Sequence, residues 1–215
     1  MDIYLSSAYL APVQYYTKFL MAETVFIEQN DHYTKQTYRN RCTIVSANGP
    51  ISLSIPVVHS SKDKILMKDI KIADHDNWQH MHWNAIISAY NSTPFFEYYW
   101  DDFYPFYHKK YLYLFDFNNE LQELILNLLN IDNLPEVGFT TSYKTCFSED
   151  ETDFRDSIHP KKDWTTIDND FIPSAYYQVF NQKFGFIPNV SIIDLLFNMG
   201  NESQIILDDS IRKLQ

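Results

Sequence analysis

Ile3 to Gln29 reads IYLSSAYLAPVQYYTKFLMAETVFIEQ, and its punctuation decides the fold class. "IYLSS" is a β-rich run. Pro12 follows where a first helical turn accepts it, because its ring pre-sets φ and its missing N–H would be unpaired there anyway. "ETVFIEQ" is then a short apolar run rich in β-branched and aromatic residues, which reads as a buried strand. Strand, helix and strand in succession begin a βαβ unit, so the spacing predicts an α/β fold.

Outward from that unit, "TIVSANGPISLSIPV" places Asn48-Gly49 between two β-rich runs, a strong hairpin signal. Ile51, Leu53 and Ile55 alternate with Ser52 and Ser54, so one face is expected to be buried. An antiparallel hairpin beside a βαβ unit predicts a mixed β-sheet with flanking helices. "KDIKIAD" adds a short strand. "NWQHMHWNAIISAY" is helical, with Trp78, Met81, His82, Ala85 and Ala89 on one face. Residues 94–117 hold 13 aromatics in 24 positions, a density that favours core packing over base or sugar stacking. Leu121, Leu124, Ile125, Leu128 and Leu129 keep helical spacing, as do Ile192, Leu195, Leu196 and Met199, so the C-terminal half is expected to be helical. Residues of about 133–170, with the acidic "SEDETDFRDS", read as a surface loop of one domain spanning 1–215.

Composition narrows the function classes. The 215 residues carry a formal charge of −11, which disfavours nucleic acid as a partner because phosphate neutralisation needs a basic face. Only four glycines are present, with no Gly-rich phosphate loop. The N-terminus lacks a basic region followed by an apolar one, so no signal peptide is expected, and the apolar runs fall short of a transmembrane segment. Cys42 and Cys146, without a CxxC pair, fit free thiols in a cytoplasmic protein.

Against that acidic background, "HYTKQTYRNRC" (His32–Cys42) concentrates Lys35, Arg39 and Arg41. If residues 35–45 extend as a strand, these cations share one side, where they suit a phosphate or carboxylate. The competing reading pairs them with Glu28, Glu23 or an Asp elsewhere in the fold. His80 and His82 diverge on a helix, so no metal site is expected. Ser6, Ser7, Cys42 and Cys146 are available nucleophiles without an identifiable base. Asp194, beside an apolar stripe, is expected to cap, to pair with an Arg, or to act as a base.

These motifs resemble the WbqC-like protein family. The resemblance runs from "LSSAYLAPVQYY" through "HYTKQTYRNRC", "ANGPISLSIPV", "NWQHMHWNAI" and "STPFFEYY" to "NVSIIDLLFNMG". Its most specific element is the spacing of Lys35, Tyr38, Arg39, Asn40 and Arg41 ahead of a Gly-containing hairpin. Two departures stand out. Leu5–Ala11 replaces a His-Gln-Pro-Asn-Tyr-Leu-Pro opening, keeping Tyr9 and Leu10, and Gln29-Asn30 replaces an Asp-Asp pair.

The resemblance implies a bacterial enzyme of surface-polysaccharide (O-antigen-type) biosynthesis, with amino-acyl (glycine) transfer to a sugar a suggested role. On that reading the substrate is a nucleotide-linked or lipid-linked sugar, with no cofactor implied. Lys35, Arg39 and Arg41 hold its pyrophosphate, Asn40 or Gln14 orients the acceptor, Tyr9 and Tyr38 complete the binding site, and Glu28 or Asp194 serves as general base. The alternative is a non-catalytic scaffold of a polysaccharide assembly complex with the aromatic block as its partner face. An adenylating or nucleotidyl-transfer enzyme is a weaker third reading, since the start of the fold permits it by analogy only.

Overall fold

The computed structural model describes residues 1–58, 64–74 and 77–212. The predicted opening unit is present: strand β1 (Asp2–Ser6), helix α1 (Val13–Met21) after Pro12 at the N-cap, and strand β2 (Thr24–Glu28). β1 and β2 pair in parallel, Ile3 with Val25 and Leu5 with Ile27. Those four side chains are fully buried on one face, as expected of a parallel sheet covered by helices. The other face carries Tyr4 stacked on Phe26, with centroids 5.1 Å apart.

The hairpin follows as β3 (Arg41–Ser46) and β4 (Gly49–Ser54). Its pairing, Ser46 with Gly49, centres the turn on Ala47-Asn48, one residue earlier than Asn48-Gly49. Gly49 instead opens β4 at φ +103°, a value that a Cβ disfavours. The hairpin forms a sheet of its own, so parallel and antiparallel pairing lie in separate sheets. Two short strands, β5 (Val57–Val58) and β6 (Lys71–Ile72), make a second small antiparallel pair.

Helices α2 (Trp78–Tyr90), α3 (Phe96–Phe103) and α4 (Leu114–Leu129) then add their apolar faces to the core. On α2 the buried positions are Trp78, His82, Trp83, Ile86, Ala89 and Tyr90. Met81, expected on that face, is exposed, because Trp83 and Tyr90 rotate the apolar stripe away from it. The aromatic block packs inward: Phe96 and Phe103 set their edges against Phe197, and Trp83 stacks on Tyr107.

Residues 133–170 require correction. They are not simply a surface loop, since they supply β7 (Glu136–Phe139) and β8 (Glu151–Asp153), the two edge strands of the central sheet. The order is β7-β2-β1-β8, all parallel. A single turn of helix, α5 (Trp164–Ile167), follows, with Asp163 capping the Thr165 N–H. The C-terminal helices are α6 (Asn181–Phe184), α7 (Ile192–Met199) and α8 (Ser203–Asp209).

This order has a functional consequence. From β1 the chain builds outward through β2 to β7, then returns to the opposite side of β1 for β8. The direction of growth therefore reverses between β1 and β8. In open parallel sheets the carboxyl ends of the strands at such a reversal diverge into a crevice, the usual ligand position.

Candidate functional site

A crevice lies at that reversal. Ser6, Ser7 and Ala8 leave the end of β1 on one wall, and Phe154, Arg155 and Ile158 leave β8 on the other. Thr37, Tyr38 and Arg39 close it from above, with Tyr15 of α1 behind. Its free volume is only ≈ 10 Å³, room for about one water.

The charged stretch does not extend as a strand. Residues 33–40 form successive turns, and β3 begins only at Arg41. Gln36 adopts φ +61°, and the Thr37 hydroxyl donates to Thr34 O (2.8 Å), which holds the chain in a turn. Strand parity therefore fails, and the three cations part company. Lys35 is exposed, with no ion pair among the described residues. Arg41 is half-buried, and its Nε has no acceptor among them. Arg39 turns inward and grips Asp31 through Nε and Nη2. Asp31 Oδ1 is buried with no partner among the described residues, and burial pushes the Asp31 carboxyl up despite the guanidinium beside it.

Glu28 closes the end of β2 in a different network. Its Oε2 accepts from Arg155 Nη1 at 2.6 Å, and its Oε1 accepts from the Thr140 hydroxyl and the Asn30 N–H. Arg155 also holds Asp153 through Nε and Nη2 and donates to Lys144 O. Glu23 binds the N-terminal amine at 3.1 Å. Glu28 and Glu23 are thus engaged elsewhere, and of the three expected partners it is an Asp, Asp31, that offsets Arg39.

Other expected residues lie away from the crevice. The side chain of Gln14 is buried, donating to Asp168 Oδ2 (2.7 Å), which Lys18 also contacts at 2.6 Å. Asp194 accepts from Tyr90, Tyr176 and Gln178, and burial raises its pKa to about 6. It borders none of the crevices found among the described residues. Tyr9 is wholly buried, 3.0 Å from both His82 Nδ1 and Tyr107 Oη. Burial lowers the His82 pKa to about 4, so this ring is a neutral packing group. Asn40 is spent on the hairpin, donating to Ile55 O. Of the residues expected at a site, Tyr38 and Arg39 line the crevice, as do Ser6 and Ser7 among the available nucleophiles.

Three participants were not picked out from the sequence. Asp31 lies directly after Gln29-Asn30, one residue beyond the positions of the Asp-Asp pair. Arg155 and His159 lie in the segment read as a loop. His159 sits at the rim within electrostatic reach of Arg39, Lys161 and Lys162, and burial followed by these cations pushes its pKa below the ordinary value. Lys161 reaches across to Gln36, tying the rim to the charged turn. The mouth thus gathers Lys161 and Lys162 with Asp156 beside them, and the His159 Nδ1 accepts the Lys161 N–H at 3.0 Å.

Comparison with known proteins covers this region. A family model described as WbqC-like protein family matches residues 7–158, which spans both walls of the crevice. The chain is 26% identical to "Uncharacterized protein Rv1507c" of Mycobacterium tuberculosis, across 88% of this chain and 89% of that protein. No solved structure matches.

Proposed function

The chain belongs to the WbqC-like protein family, and from that premise we propose that it is a transferase of surface-polysaccharide biosynthesis that binds the diphosphate of a nucleotide-linked or lipid-linked sugar at the β1/β8 crevice. One observation supports the reading: Arg39 lines the crevice at the sheet's reversal point, with His159, Lys161 and Lys162 near its mouth. A diphosphate in a partly buried site needs such compensation, and Arg supplies it with fixed geometry. His159, whose Nδ1 accepts the Lys161 N–H at 3.0 Å, becomes the candidate general base for an acceptor amine or hydroxyl once movement of the rim frees that nitrogen. That role replaces the ones expected for Glu28, which is locked to Arg155, and Asp194, which is buried elsewhere.

The crevice is closed as it stands, since a sugar-nucleotide pocket needs on the order of 300 Å³ or more. Entry requires residues 156–162 to swing away from the 33–40 turn, breaking the Lys161–Gln36 hydrogen bond.

Calorimetry with a uridine diphosphate sugar tests the proposal. Wild type should bind, and the surface variant Lys162→Gln, which leaves the Lys161–Gln36 hydrogen bond in place, should bind several-fold more weakly, with the difference shrinking as salt screens the cation. Absence of heat with wild type, or equal affinity in the variant, would sink it. His159→Gln should retain binding and lose transfer.

A further inference from the structure

A second groove lies on the far side of the sheet from β8, between α4 and the edge strand β7. Its volume is ≈ 610 Å³, far larger than the crevice. Leu126 of α4 and Val137 and Phe139 of β7 form an apolar floor, and Asp116, Glu120 and Glu123 stand along the helix wall. Phe139 is half exposed there.

The backbone of β7 supplies the rest. Thr140 N–H donates to Ile27 O (3.1 Å), so residues in step with Thr140, namely Gly138 and Glu136, turn their peptide groups toward β2. Val137 and Phe139, out of step, turn theirs to the open side. Among the described residues no strand pairs with that side. Natural edges are commonly blunted by charge, proline, shortness or a covering loop; here Pro135 and Glu136 blunt only the start of the four-residue strand, and Val137 and Phe139 keep their outward peptide groups.

We infer that this groove accepts an extended basic peptide segment of a partner protein, which adds a strand to β7 and lays alternate side chains on the apolar floor. Strand addition supplies affinity through main-chain hydrogen bonds and specificity through alternate side chains. Charge decides the occupant. Glu120 is partly answered by Lys109 and by the Tyr111 hydroxyl, whereas Asp116 and Glu123 have no partner among the described residues. Glu136 adds a further negative charge on the strand itself. A second copy of this chain would bring the same carboxylates face to face in a protein of charge −11, so pairing of β7 with itself is disfavoured.

The test uses ¹⁵N-labelled full-length protein and an acetylated hexapeptide of alternating lysine and valine, beside a version N-methylated on the amides that would face β7. The expected result is saturable shifts confined to the amides of 134–139 and 116–127. The N-methylated peptide should bind about tenfold more weakly at unchanged charge, and Asp116→Asn/Glu123→Gln should weaken the parent peptide several-fold. Shifts scattered over the acidic surface, equal binding of the N-methylated peptide, or no binding at about 1 mM would overturn the inference. So would a dimer joined through β7.

Discussion

At the residue scale, the charged groups of this protein fall into pairs that composition cannot reveal. Arg155 and Glu28 are both essentially out of solvent and 2.6 Å apart. Removing one member leaves the other buried without compensation. Arg155→Met should therefore cost about 3–5 kcal/mol in urea unfolding, and adding Glu28→Gln should recover part of that loss. Should the double variant prove no more stable than the single, the pair is not what holds these strand ends. Asp194 makes a pH-dependent contribution. Its folded pKa of about 6 lies above the ordinary 3.8, so the native state binds the proton more tightly than the unfolded chain. That contribution is fully present below the unfolded pKa and is lost as pH rises through about 6, amounting to on the order of 3 kcal/mol. Compared with Asp194→Asn, wild type should lose relative stability between about pH 4 and pH 6.5 and then level off. A difference that stays flat across that range would refute the assignment.

At the element scale, legibility tracked the strength of the periodic signal. α4 keeps its apolar stripe over sixteen residues and was visible at once. β7 and β8 are four and three residues long, too short for a period to stand out, and ETD has no apolar residue. They are strands because β1 and β2 present open edges to them. The charged turn failed for the opposite reason: its alternating residues suggested a strand, but local hydroxyl bonding and Gln36 at positive φ curled it. The end of α7 offers a sharp test. Gly200 sits at φ +55°, and a Cβ there would meet the Phe95 ring at 2.5 Å, too close without movement. Gly200→Ala should destabilise by roughly 2 kcal/mol, combining backbone strain with the clash. Thermal unfolding at wild-type midpoint would show that Phe95 yields freely.

At the scale of the whole molecule, the central sheet should be the last part to open and the crevice rim among the first. β1 and β2 lie inside the sheet with their core-facing side chains fully buried, whereas residues 156–162 cross its end with few backbone bonds. Hydrogen exchange should be fastest in 156–162 and 33–38 and slow there when a nucleotide sugar is bound, while β1 and β2 stay protected throughout. Unchanged exchange at the rim under saturating ligand would count against entry by that route. The sequence by itself determined the α/β class, the opening βαβ unit, the hairpin, the long helices and the family, because these rest on local periodicity, turn chemistry and contiguous motifs. Only the tertiary structure decided that the sheet reverses at β1, that Asp31 rather than Glu28 answers Arg39, and that Arg155 and His159 stand at the crevice. Asp31 and Arg39, eight residues apart, meet because the chain between them turns instead of extending, whereas the sheet reversal and the placing of Arg155 and His159 depend on segments that meet across more than a hundred residues, such as Glu28 and Arg155 at a separation of 127. No spacing within a single segment encodes such a meeting.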